Sequence, residues 1–141
     1  MSISPQDDRL WVPLLTHYRR QGQAVEIDPD RIAAHVSFIR PWVRQFLLAG
    51  STGDGWEMSL EQLLVLVRLT GRADLFQGTR FLVGALRPTT EGVIEWARAV
   101  ESTLGDMKAP AGEYCGLAVC PPVDAGASQS DIVRHYERVL A

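Results

Sequence analysis

The strongest constraint on the fold is an alternation that recurs four times along the 141-residue chain: a short apolar run, then a stretch with helical spacing. The apolar runs are LWVPLL (Leu10–Leu15), VRQFLLAG (Val43–Gly50), RFLVGAL (Arg80–Leu86) and YCGLAVC (Tyr114–Cys120). Each is short and set off by Gly, Pro or polar residues, as buried parallel strands are. Between them, apolar residues return every three to four positions. The sets are Ile32, Val36 and Ile39; then Leu60, Leu63, Leu64 and Val67; then Val93, Ile94, Ala97, Val100 and Leu104. A last set, Ile132, Val133, Tyr136, Val139 and Leu140, predicts a helix from near Ser130. Asp28 or Asp30 caps the first helix, Ser59 with Gln62 forms a capping box on the second, Thr90 caps the third and Gly105 ends it. Strands alternating with helices imply an α/β fold with a parallel sheet and right-handed crossovers. An open doubly wound sheet and part of a (β/α)8 barrel both satisfy that pattern.

Motifs narrow the function classes. A dinucleotide fold wants G-x-G-x-x-G after its first strand, and THYRRQGQ stands there instead. A P-loop needs Gly-Lys-Ser/Thr, and the GSTGDG segment at Gly50–Gly55 has no lysine. The formal net charge is −3, and the thirteen arginines are scattered, so no basic stripe points to nucleic acid. No apolar run approaches the ~20 residues of a membrane span, and MSISPQDDRL is not a secretion signal. The cytoplasm is the expected compartment. Cys115 and Cys120 would sit ~16 Å apart on opposite faces of a strand, too far for a disulfide. They read as two buried thiols, and with no C-x-x-C or nearby His no metal site is expected.

The order of motifs resembles the dihydrodipicolinate synthase/N-acetylneuraminate lyase family, Schiff-base aldolases and lyases on a TIM barrel. The family's Gly-Thr-Thr-Gly-Glu stands here as Gly50-Ser51-Thr52-Gly53-Asp54, and its Leu-Ser helix start as Met58-Ser59. Its Thr-Pro-Phe is Thr16-His17-Tyr18, its Pro-Tyr-Tyr is Pro121-Pro122-Val123, and its His-Tyr/Phe is His135-Tyr136. FLVGALRPTTEGVIEWARAVE fits the third strand and helix of the same pattern. The resemblance runs from about Leu10 to Ala141 and covers the family's first half. It implies a single partial TIM-barrel domain over residues 1–141, the N-terminal four βα units of the (β/α)8 fold.

That resemblance implies a lyase or aldolase acting on pyruvate-type keto acids through a lysine imine, with no cofactor. Ser51, Thr52 and Gly53 would bind the keto-acid carboxylate. Hydroxyls and backbone N–H groups of a Gly-rich turn near a helix N-terminus suit a carboxylate, and the C-terminal ends of barrel strands form the active-site rim. The lysine the family uses lies on its sixth strand, beyond the four found here. Lys108, the one lysine present, falls between the third helix and fourth strand, on the opposite, stability face. Val123 stands where the family has its relay tyrosine, and valine moves no proton. No catalytic residue is therefore assigned, and the expectation is a chain truncated before its lysine and inactive alone. Pro-Pro at this point resembles divergent members similar to keto-deoxyglucarate dehydratases.

His17 reads as a solvent-bonded rim residue and His135 as a surface or helix-packing residue; neither joins a hydrolytic triad. The last helix ends at Ala141 without a closing element, and half a barrel leaves its first and fourth strands as edges. Self-association, or a complementary half-barrel chain, would close it. A non-catalytic, keto-acid-binding half barrel and a gene fragment without function are the alternatives.

Overall fold

The computed structural model describes residues 11–14, 27–50, 55–107, 111–121 and 126–141. Its elements are β1 (Val12–Pro13), α1 (Pro29–Ile39), β2 (Gln45–Leu48), α2 (Leu60–Leu69), α3 (Ala73–Phe76), β3 (Arg80–Ala85), α4 (Thr90–Asp106), β4 (Glu113–Val119) and α5 (Gln129–Val139). The four strands are parallel and pair in sequential order, β1-β2-β3-β4. A doubly wound sheet would reverse direction at a switch point. Sequential order has no reversal, so right-handed crossovers keep the helices on one face, as in the first half of a (β/α)8 barrel.

The helix-facing side of the sheet is the core. Phe46 and Leu48 of β2 and Phe81, Val83 and Ala85 of β3 are fully buried there, with Ile32 and Val36 of α1, Leu63, Leu66 and Val67 of α2, and Val93 and Val100 of α4. Phe76 of α3 meets Phe46 and Phe81 at ring-centroid distances of 5.9 and 6.4 Å, both edge-on, the geometry aromatic quadrupoles favour. The opposite face begins, at the N-terminal ends of the strands, with a polar row. Arg80 donates to the Gln45 side chain at 2.9 Å, pairs with Glu113 at 3.5 Å, and lies 5.7 Å from the centre of the Trp11 ring.

Several boundaries differ from the sequence expectations for local reasons. The first strand is Val12–Pro13 rather than Leu10–Leu15, and Leu10 and Leu15 lie outside the described residues. Proline is tolerated there because Leu14 N–H reaches Leu47 O (2.9 Å), which turns the neighbouring Pro13 nitrogen to the open edge. Asp28 caps α1, and the Ser59–Gln62 capping box is present. The cap of α4 is Thr89, not Thr90; its hydroxyl accepts from Gly92 N–H, which leaves Thr90 free for another partner. Gly105 does not end that helix, which continues to Asp106. A second capping box, Ser128 with Asp131, starts α5 at Gln129. Helix α3 was not expected: its four residues are too few to show a period, and tertiary burial of Leu75 and Phe76 holds them.

The face of α5 is the largest correction. Val133 and Leu140, expected on its apolar side toward the core, are 55% and 78% exposed, and Tyr136 is half-buried. Its one buried residue is His135. Cys120 is buried, but Cys115 is only half-buried because β4 is a sheet edge; both thiols are free.

Candidate functional site

Parallel strands place their C-terminal ends on one rim, and the chain leaves that rim at Leu14, Ala49–Gly50, Leu86–Arg87 and Cys120–Pro121. Ser51, Thr52 and Gly53, the residues expected to bind a carboxylate, lie outside the described residues, as do Val123, Lys108 and His17. The structure does define the frame in which the first three stand.

That frame starts at Ala49, immediately after β2, where the backbone turns to φ +55°. This left-handed conformation costs a residue with a Cβ about 1–2 kcal/mol, and such strain concentrates at functional turns. Two glycines enclose its carbonyl. A Cβ on Gly55 would lie 1.9 Å from Ala49 O, and one on Gly84 of β3 would lie 2.2 Å from it. No side chain fits at either position, so glycine here is a requirement of close backbone approach. Gly55 N–H then returns to Gly50 O at 2.9 Å, so the two ends of the Gly50–Gly55 segment are joined by a hydrogen bond.

Arg87, just past β3, reaches across to the same turn. Its Nη2 donates to Gly55 O (2.8 Å) and Trp56 O (2.7 Å), and its Nε donates to Leu86 O. The guanidinium carbon sits over the Trp96 ring on α4, 3.9 Å from its centre, a cation–π contact. Burial lowers the Arg87 pKa from its ordinary value, and the group remains a cation.

On the other side of Arg87, Cys120 Sγ lies 3.3 Å from Arg87 O. The Cys120 carbonyl in turn contacts His135 Nε2 at 2.8 Å, while His135 Nδ1 contacts Thr90 Oγ1 at 2.8 Å. A carbonyl only accepts, so Nε2 carries the proton, and in the neutral ring Nδ1 accepts from the Thr90 hydroxyl. His135 is thus a buried tie between β4, α4 and α5, the helix-packing role among the two expected of it. Beside it, Arg138 bonds Glu91 at 2.7 Å and holds that carboxyl below its usual range.

The sequence reading missed Ala49, Gly84, Arg87 and Trp96. Arg87 carried a visible signal, an arginine directly after the RFLVGAL run, on the rim. A depression of about 410 Å³ among the described residues, lined by Arg40, Arg44 and Gly78, opens at the other end of the strands. No group of three or more His, Cys, Asp or Glu among the described residues could hold a metal. No described helix is long and apolar enough to cross a membrane.

No protein-family model matches the sequence, and no curated protein sequence matches it. Solved structures do share the fold. One is YagE, a prophage protein belonging to the dihydrodipicolinic acid synthase family from E. coli K12, in complex with pyruvate. Its TM-score is 0.68 at 19% identity, over 91% of this chain and 39% of that one. Another is KD(P)GA from T. tenax, with a TM-score of 0.67 at 23% identity, over 92% and 40%. A third is dihydrodipicolinate synthase from Aquifex aeolicus, with a TM-score of 0.69 at 17% identity, over 91% and 39%. The chain therefore has the fold of a part of these barrels and spans about two fifths of their length.

Proposed function

We propose that this chain carries the carboxylate-binding part of a pyruvate-type lyase or aldolase barrel, and that by itself it binds a keto acid without forming an imine. The observation that carries this reading is the strained, glycine-enclosed turn from Ala49 to Gly55 at the C-terminal rim of β2. Ser51, Thr52 and Gly53 stand between its joined ends, and their hydroxyls and N–H groups are the donors a carboxylate needs. That a structure of the same fold is described in complex with pyruvate supports the choice of ligand.

Imine formation needs a desolvated lysine amine at the rim. The sole lysine, Lys108, falls in the sequence between α4 and β4, and Val123 supplies no proton relay. The reading invokes no cofactor and places the chain in the cytoplasm. It is tested by incubating the protein with pyruvate and borohydride, then measuring intact mass beside a pyruvate titration followed by NMR. Saturable shifts at Gly50 and Gly55 without a mass increase are expected. A stoichiometric adduct, or no binding at millimolar pyruvate, overturns it.

A second reading, association into a closed ring with another copy or a complementary half-barrel chain, is favoured by where the apolar side chains are left uncovered. On α1, Arg40 at the end of the helix reaches the carbonyls of Asp74 and Gln77, while Phe38 (73% exposed) and Trp42 (58%) lie on the other flank. On α5, His135 and Arg138 face α4, while Val133 and Leu140 lie on the far flank. Both ends of the helical layer thus present apolar surface outward, away from their resident neighbours. Size exclusion with light scattering tests this: a folded dimer supports it, and a folded monomer at all concentrations overturns it.

A further inference from the structure

We propose that Arg87 is a positioning residue: its guanidinium clamps the outgoing end of the Gly50–Gly55 turn onto the end of β3 and so fixes the spacing in which the carboxylate donors stand. This rests on the reading of that segment as a carboxylate site, but the clamp itself can be measured without a ligand.

The charge is held by backbone carbonyls, as that of Arg40 is, with an aromatic face added. Arg72, Arg80 and Arg138 each meet a carboxylate. Arg87 is half-buried, and its described polar partners are three backbone carbonyls, those of Leu86, Gly55 and Trp56. A cation withdrawn from water without a counter-ion is costly unless its donors are satisfied. Here the compensation comes from carbonyls of two separate segments and from the face of Trp96, 3.9 Å away. Connecting β3 to the turn is therefore what the buried cation accomplishes.

The geometry needs arginine. One nitrogen straddles two carbonyl oxygens at 2.7 and 2.8 Å while the central carbon of the group lies over an indole. A lysine ammonium retains the charge, but it has no planar group to set over the indole and one nitrogen in place of the two, Nε and Nη2, that reach Leu86 O and the Gly55 and Trp56 oxygens. The Ala49 end of the turn is held independently, by the β2–β3 ladder and by Gly84, which admits the Ala49 carbonyl, whereas the Gly55 N–H bond to Gly50 O depends on the Gly55 end that Arg87 holds. Removing the Arg87 clamp therefore frees the Gly55 end selectively and leaves the β2–β3 ladder intact. The clamp also keeps at the rim a positive charge that meets no carboxylate among the described residues.

Amide hydrogen exchange on the full chain, wild type against Arg87→Lys and Arg87→Gln, tests this. The Gly55 amide is expected to exchange roughly 10- to 100-fold faster in both variants, the range that follows from losing hydrogen bonds to a charged group. The Phe46 and Val83 amides should keep wild-type protection. Unchanged Gly55 exchange, protection restored by lysine, or parallel loss at Phe46 and Val83 would each overturn the clamp. In the wild type alone, the Arg87 side-chain protons should be shifted upfield by the Trp96 ring; a random-coil position overturns the proposal even if a variant does not fold. Pyruvate titrations separate the two claims. Wild-type protein that fails to bind defeats the proposed function and leaves the clamp standing on exchange. Wild-type protein that binds, with variants that loosen Gly55 yet bind equally well, defeats the positioning role alone.

Discussion

The middle of the sheet and its last strand are made of the same βα unit, yet they bury very different shares of it. Four of the six residues of β3 are buried, whereas none of the seven of β4 is. The same contrast runs through the helices: α2 buries Leu63, Leu66, Val67 and Leu69, and α5 buries only His135. Strand β3 has a strand on each side and α4 packed against it, while β4 is an edge. Burial in this architecture is thus set by the number of neighbours an element has, more than by its own pattern. An apolar stripe at helical spacing shows which face wants to be covered and says nothing of whether anything covers it.

The sharpest test of that contrast lies at Phe76, where α3 closes the middle of the core. Phe76→Ala removes a fully buried ring that meets Phe46 and Phe81 edge-on. A loss of about 3–5 kcal/mol in urea unfolding is expected, a large part of the total stability of a domain this size. A loss under about 1 kcal/mol would mean that the middle is no better packed than the ends. A smaller effect is expected at the far end, at His135. His135→Leu keeps most of the volume but leaves the Cys120 carbonyl without its donor and the Thr90 hydroxyl without its acceptor. An unsatisfied buried acceptor costs about 1–3 kcal/mol, read from the same urea midpoints. No change would show that α5 docks without this tie.

These two positions also mark what could be read from the sequence. The strands and long helices were legible because buried parallel strands and amphipathic helices leave distinct periods, and Ser59–Gln62 announces its capping box directly. Phe76 was not legible, because four residues carry no period and its value comes from two rings 30 and five positions away in sequence. His135 was legible as a motif residue, while its tie to Thr90 required knowing that Thr89 takes the cap. At the rim the glycines of GSTGDG stood out, but their reason did not. Gly55 and Gly84 are both set by one carbonyl, that of Ala49, and the pair lies 29 positions apart. Arg87 stood visibly at the rim, but its partners did not show, since the carbonyls of Gly55 and Trp56 are 32 and 31 positions away.

The smallest effect is expected where the sequence suggested core and the structure leaves solvent. Val133 and Leu140 are 55% and 78% exposed on the flank of α5 turned from α4. Replacing both, as Val133→Ser with Leu140→Ser, removes little buried area, and surface changes of this kind stay within about 0.5 kcal/mol. The unfolding midpoint of a dilute monomer should therefore hardly move. A destabilisation several times larger would show that this flank is covered in solution and that the open end of the helical layer has an occupant. Concentration dependence then identifies it. Mass action makes the loss grow with protein concentration when the cover is a second copy, whereas a loss independent of concentration means the chain covers the flank with its own residues.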